Sequence, residues 1–192
     1  MPDLVLASTS PYRRELLARL GLPFEAVTPD CAELALPGET PEALVRRLSE
    51  AKARSVAERF PTALIIGSDQ VASLDGEILG KPGGREKAIA QLTKASGRCV
   101  TFYTGLSLVD AARQTARTVC EPFHVHFRTL SPEQIARYVD HERPFDCAGS
   151  FKSEGYGVTL FARLSGDDPT ALVGLPLIRL VQLLGEVGVA LP

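Results

Sequence analysis

The chain of 192 residues has no apolar run approaching the length that spans a bilayer, so no membrane partner is expected. It has no basic block either. Its 21 Lys and Arg oppose 23 Asp and Glu, a net charge of −2, which argues against a binder of polymeric nucleic acid. Cys31, Cys99, Cys120 and Cys147 form no CxxC pair, so reduced cytosolic thiols are expected rather than a zinc site or a disulfide frame. The opening Met1-Pro2-Asp3 leads straight into a strand pattern without the basic and apolar regions of a signal peptide, and a cytoplasmic protein is expected. The glycine patterns of a P-loop and of a dinucleotide fingerprint are missing. No repeat, low-complexity tract or linker divides residues 1–192, so one domain is expected, with the 45% apolar and 23% charged content of an ordinary globular protein.

What is present begins at Leu4. Leu4 to Ala7 is a continuous apolar run, as expected of a strand covered on both faces. Ser8-Thr9-Ser10-Pro11 follows, with Ser10 as a natural N-cap and Pro11 at the first helical position, where a missing N–H costs nothing. Leu16, Leu17 and Leu20 give the helix an apolar stripe, and Gly21 ends it. Backbone N–H groups, hydroxyls and a helix start thus meet at one corner, which suits a phosphate and is equally an ordinary helix start. At about 100° per residue, Arg13 lies over the same side as Leu16 and Leu20, one turn from that corner.

Phe24 to Val27 reads as a second strand, and Thr40-Pro41-Glu42 opens a helix expected to reach about Arg59. Lys52 falls beside Leu48 on the inner side of that helix; it either snorkels along the edge or meets a half-buried anion. Ala63 to Gly67 is the most strand-like run and delivers Ser68-Asp69-Gln70 at its end, where ligands of α/β sheets usually sit. Asp75-Gly76 marks a hairpin turn, and a helix is expected over 85–95. Two long strands follow, over 99–109 and 115–128. In the second, His124 and His126 share a face that is either metal-binding or simply wet. Ser131-Pro132-Glu133-Gln134 is a capping box. The segment 148–157 reads as a shaped loop, 158–161 as a last short strand, and Leu175 to about Val187 as a closing helix.

Five charged groups, Arg13, Glu33, Lys52, Asp69 and Lys81, lie on corners, one helix face and strand ends. Three cations suit a polyphosphate, and two carboxylates suit a divalent metal and a water.

Taken together, Ser8-Thr9-Ser10-Pro11 with Arg13, Gly67-Ser68-Asp69-Gln70, Gly80-Lys81-Pro82, the run Ala148 to Gly155 and Gly174-Leu175-Pro176 resemble the Maf family of nucleotide pyrophosphatases, in order over nearly the whole chain. The branch it is most similar to is the YceF-type 7-methyl-GTP pyrophosphatases. The resemblance implies an α/β, two-lobed fold of the Maf/ITPase-like type, with a long twisted mixed β-sheet flanked by helices and a central cleft. It implies a hydrolase that splits a nucleoside triphosphate between the α and β phosphates, a divalent metal cation such as Mg²⁺ or Mn²⁺, and a homodimer. It also implies the roles of single residues. Asp69 matches the proton acceptor; Tyr12, Gln70 and Glu154 match positions of substrate choice; Ser8, Arg13, Lys52 and Lys81 line the phosphates; Glu33 joins Asp69 toward the metal.

The chemistry of those positions is consistent with the roles. Asp69 suits either proton acceptance or metal ligation. A 7-methylguanine ring is cationic: Tyr12 stacking on it would contribute about 1–2 kcal/mol when desolvated, and Glu154 would accept from its N1–H and N2–H edge. Two departures stand out. The branch usually has Trp where this chain has Tyr12, and Asp-Glu where it has Ala32-Glu33. The main reading implied by the resemblance is a 7-methyl-GTP pyrophosphatase that removes modified nucleotides, with a link to cell-division arrest; the competing readings are a dTTP/UTP pyrophosphatase of the other Maf branch, which typically carries Arg and Thr at the positions of Tyr12 and Gln70, and a nucleotide-responsive regulator of septation or cell division.

Overall fold

A computed structural model describes residues 3–192; Met1 and Pro2, read above as leading into the first strand, lie outside the described residues. In chain order the elements are β1 (Leu4–Ala7), α1 (Pro11–Ala18), β2 (Glu25–Val27), α2 (Pro41–Arg54), β3 (Leu64–Leu74), β4 (Glu77–Leu79), α3 (Arg85–Ala95), β5 (Cys99–Asp110), β6 (Thr115–Phe127), α4 (Pro132–Glu142), β7 (Phe161–Ser165), α5 (Pro169–Val173) and α6 (Leu177–Glu186). The seven strands form one mixed sheet in the order β2-β1-β3-β5-β6-β7, with β4 paired to β3. β1 runs parallel to both β2 and β3, whereas β4 and β7 are antiparallel to their partners. Among the described residues no helix is long and apolar enough to cross a membrane.

Two compact units emerge. The first holds the described residues up to Gln70 with Tyr103–Glu121 and Asp168–Pro192; the second holds Val71–Phe102 and Pro122–Asp167. The core of the first is aliphatic. Side chains alternate across a strand, so Leu4, Leu6, Leu64 and Ile66 pack with Leu16 and Leu17 of α1 and Leu180 and Leu184 of α6 on one face. Val5, Ala7 and Ile65 pack with Ala53 and Val56 on the other. Both faces are covered, which is why β1 and the start of β3 read as unbroken apolar runs. The second unit is aromatic: Phe151 meets Phe102, Phe127 and Phe161 edge-on, with ring centroids 5.0–5.5 Å apart.

Helix α2 lies unusually close to the sheet, and two glycines allow it. A methyl group on Gly67 would overlap the Ser49 carbonyl oxygen, and one on Gly105 would overlap that of Val45. Only hydrogen fits at either place.

Local signals act as the sequence implies. Ser10, Thr40 and Ser131 each accept the N–H three residues on, and Ser131 and Gln134 complete a reciprocal box. Three boundaries differ from expectation. Helix α2 stops at Arg54 rather than near Arg59. Ser55 Oγ donates to the Lys52 carbonyl at 2.8 Å and accepts the Asp30 N–H at 3.1 Å, and a separate 3-10 turn covers Ala57–Arg59. The run 158–161 is not a strand: Tyr156–Leu160 coils into a 3-10 turn, because Gly157 N–H bonds the Lys152 carbonyl at 3.1 Å and Thr159 Oγ1 the Tyr156 carbonyl at 2.8 Å. β7 begins only at Phe161. Finally, β3 is one strand of 11 residues, so Ser68, Asp69 and Gln70 lie inside it and not at its end.

Candidate active site

That last difference explains where Asp69 stands. β1 pairs with β3 only as far as Ala7 opposite Gly67. Beyond that register β1 gives way to the Ser8 corner, and β3 continues as Ser68, Asp69 and Gln70. Asp69 therefore sits past the carboxyl end of its parallel neighbour, the place sequence reasoning assigned to a strand end.

Lys52 meets it there. The lysine occupies the last turn of α2, where the helix dipole favours a cation. Its side chain is 7% exposed and that of Asp69 10%. Nζ donates to Asp69 Oδ1 at 2.6 Å, and Glu33 Oε1 lies 3.2 Å from the same nitrogen. Lys52 is thus a buried cation bridging two carboxylates; it does not snorkel to the surface. Glu33 is far more exposed, so its contact contributes on the order of 0–1 kcal/mol.

The α1 corner contributes the second cation. Ser8 is buried and its Oγ accepts the Ser10 N–H at 3.1 Å. Half-buried Arg13 donates from Nε to the Gly174 carbonyl at 2.8 Å, which leaves its terminal nitrogens for another acceptor. Burial pushes its pKa down, while the charges of Asp69 and then Glu33 push it up. Those two carboxylates lie within electrostatic reach of Arg13 as well as of Lys52. Tyr12 is 40% exposed on the first turn of α1.

Gln70 is held by the segment around α5. Its Nε2 donates to the Ala171 carbonyl at 2.7 Å, Thr104 Oγ1 at 2.9 Å and the Leu172 carbonyl at 3.1 Å. Fully buried Ser68 donates to the carbonyls of Gly105 and Gly174. Asp168 fixes the same segment from below, accepting from Thr170 N–H, Thr170 Oγ1 and Ile178 N–H. The Glu33 loop has its own anchor: Arg47 forks onto both oxygens of Glu39 at 2.7 Å and reaches the Leu34 carbonyl at 2.9 Å. That pair holds the Glu39 carboxyl down at about 2.

Sequence reasoning named Ser68 only within its motif, without a role, and did not single out Thr104, Arg47, Glu39 or the α5 carbonyls. Only the Gly174-Leu175-Pro176 motif hinted at them, since a carbonyl acceptor leaves no trace in residue type. Cys31 was also missed: the charges of Lys52, Glu33 and Asp69 all act on it, and burial pushes its thiol up. All four cysteines are free.

Lys81 and Glu154 belong to the second unit, and both are exposed. Lys81 follows β4 in the Gly80-Lys81-Pro82 turn; Glu154 Oε2 accepts from Ser153 Oγ at 3.1 Å. The two histidines of β6 are satisfied within the sheet. His124 Nδ1 lies 3.1 Å from Thr101 Oγ1, and His126 Nε2 lies 3.0 Å from Arg163 and 3.2 Å from Ser165 Oγ. Burial, then Arg163 and His124, lower the His126 pKa. Among the described residues no three His, Cys, Asp or Glu side chains gather as a metal site. Asp69 and Glu33 each present one oxygen to Lys52, and the other oxygen of each remains for a cation. Such a pair fits Mg²⁺-type ions, which take one or two carboxylates and complete their shell with water and substrate phosphates.

Comparison with known proteins bears on the family. The family model described as Maf-like protein matches residues 3–187. A protein of Pseudomonas aeruginosa named 7-methyl-GTP pyrophosphatase is 60% identical over 192 residues, the full length of both chains. Proteins of the same name from Nitrosococcus oceani and Vibrio cholerae are 60% and 56% identical, covering 97% of this chain and 94% and 96% of their own.

Proposed function

Because the chain belongs to the Maf-like protein family, we propose that it is a nucleoside triphosphate pyrophosphatase that hydrolyses 7-methyl-GTP to 7-methyl-GMP and pyrophosphate. The observation that carries this reading is the buried Lys52–Asp69 contact with Glu33 on the same nitrogen, beside the hydroxyl corner of α1. The names of the relatives support the substrate.

Asp69 is the proton acceptor. Lys52 fixes the direction of its carboxylate, and the attacking water gives Asp69 a proton as its oxygen bonds the α phosphorus. The bond from that phosphorus to the α–β bridging oxygen breaks, and pyrophosphate leaves with the electron pair. Arg13, already aligned by Gly174, donates its terminal N–H groups to phosphate oxygens. The Ser8 hydroxyl, which accepts from Ser10, has its own proton to donate, and Lys81 supplies a further cation. Asp69 and Glu33 hold a divalent cation, Mg²⁺ or Mn²⁺, which supplies charge neutralisation on the triphosphate when bound. Tyr12 stacks on the cationic base, and Glu154 accepts from its N–H edge. Gln70, with its amide nitrogen spent on α5, offers its carbonyl oxygen. We place the enzyme in the cytoplasm as a homodimer and treat residues 1–192 as one functional domain.

Pyrophosphate release with Mg²⁺ or Mn²⁺, measured side by side on 7-methyl-GTP, GTP, dTTP and UTP, tests the proposal. Higher kcat/KM for 7-methyl-GTP is expected. A preference for dTTP and UTP overturns the substrate, and unchanged turnover in Asp69→Asn overturns the mechanism.

A further inference from the structure

The second unit contains a cavity of about 200 Å³ that plays no part in the chemistry above. Its lining is one-sided. Arg128, just past β6, and Arg137, on α4, both line it, together with Gln134, Tyr138 and Tyr156, and no carboxylate does.

The two arginines are unlike most others in the chain. Arg85 is forked onto Asp140, Arg47 onto Glu39, and Arg113 reaches Asp110. The guanidinium groups of Arg128 and Arg137 have neither an ion pair nor a hydrogen bond among the described residues. Glu133, one turn before Arg137 and within reach of its charge, is bonded instead to Ser131 Oγ at 2.7 Å. The neighbouring groups add donors. Gln134 Oε1 is taken by the Ser131 N–H at 2.8 Å, so its amide nitrogen remains to donate. Tyr138 accepts the Lys152 N–H at 3.1 Å, and burial pushes its phenol up, so it keeps a proton.

Two arginines lining one concavity that no carboxylate lines focus a positive potential there. An anion with several acceptor oxygens suits both. Size narrows the choice. A cavity of about 200 Å³ has room for roughly six waters at about 30 Å³ each, and falls short of the roughly 300–1,000 Å³ that encloses a drug-sized ligand. A whole nucleotide does not fit inside; a phosphoryl group does.

We propose that this cavity is a second anion site, which binds a phosphate-class anion through Arg128 and Arg137. The shared chemistry is a phosphoryl group, supplied by free phosphate, by pyrophosphate, or by a phosphomonoester whose remainder lies outside.

Amide ¹H–¹⁵N spectra of the full chain, titrated with sodium phosphate, sodium pyrophosphate or AMP at matched ionic strength, test the site. Saturable shifts are expected at residues 128–138 and 156–160, and the tightest of the three anions identifies the source. The Arg128→Gln/Arg137→Gln double variant should lose at least tenfold in affinity there, and Arg128→Lys/Arg137→Lys should regain part of it. Both side chains are exposed, so the thermal midpoint and the turnover of 7-methyl-GTP should stay at the wild-type values. Absence of a saturable shift in the wild-type protein at millimolar anion overturns the proposal, whether or not the variants fold. So do shifts that survive the double variant unchanged, or that sodium chloride reproduces. Shifts at Lys52, Asp69 and Arg13 report the first unit separately, so failure here and failure of the pyrophosphatase reading are distinguishable.

Discussion

In the first unit a lysine is buried and two carboxylates come to it; in the second, two arginines line an opening that holds no carboxylate at all. Burial explains the difference. A buried cation without a partner is strongly unfavourable, so Lys52 must be met inside the fold. Arg128 and Arg137 stay in contact with water, which tolerates an unmatched charge until an anion displaces it. The first arrangement holds groups in place for chemistry, and the second holds a vacancy in charge for a ligand.

The largest test of the contrast removes one of the carboxylates. Asp69→Asn should lower kcat by about 10²–10⁴-fold, the usual worth of a general base, with nucleotide affinity little changed; a loss of binding alone would make Asp69 a ligand only. Next is the spacing of α2. Gly67→Ala should destabilise by about 1–3 kcal/mol or more, as overpacking does, and thermal melts should show a drop of at least several degrees. Turnover measured below that midpoint should fall too, since the lysine moves with its helix. The tenfold loss of anion affinity in the arginine double variant follows, and it should leave both of those quantities untouched. Smaller still is Tyr12→Trp, a better platform for a cationic ring. It should raise the ratio of kcat/KM for 7-methyl-GTP over GTP about two- to fivefold, equivalent to about 0.5–1 kcal/mol.

The smallest effect concerns the loop that carries Glu33. Arg47 depresses the Glu39 carboxyl from about 4.5 to about 2. A depressed carboxyl stabilises in full above its unfolded pKa and loses that stabilisation as pH falls through the folded one. Urea melts of the wild type should therefore weaken from about pH 4.5 down to about 2, and those of Glu39→Gln should weaken less over that window. Superimposable curves would show the pair to be inert.

Much of this fold was legible because its signals are local. Ser10-Pro11, Thr40-Pro41 and Ser131 through Gln134 carry their caps in four residues or fewer. The place of Lys52 beside Leu48 left both a snorkelling and an inward course open, and nothing in the residues said which anion it meets. The α5 segment was not legible. Ser68, Gln70, Thr104 and Arg13 all bond main-chain carbonyls between Ala171 and Gly174, and a carbonyl is common to every residue. The run 158–161 misled for a related reason. Its apolar pattern suits a strand, but the contacts that coil it run to main-chain carbonyls, from Gly157 N–H to Lys152 and from Thr159 Oγ1 to Tyr156. Arg128 and Arg137 were passed over because pairing, or its lack, appears only in three dimensions.

Gly67 and Gly105 have one more consequence. Where a helix rests on a sheet through side chains, each conservative swap in the core changes the gap by a fraction of an ångström. Here peptide rests on peptide at both places, so the gap is a fixed gauge, the same whatever the aliphatic neighbours become. The core can drift over generations while the ammonium of Lys52 stays in register with its carboxylates, provided two hydrogen atoms are never exchanged for carbon.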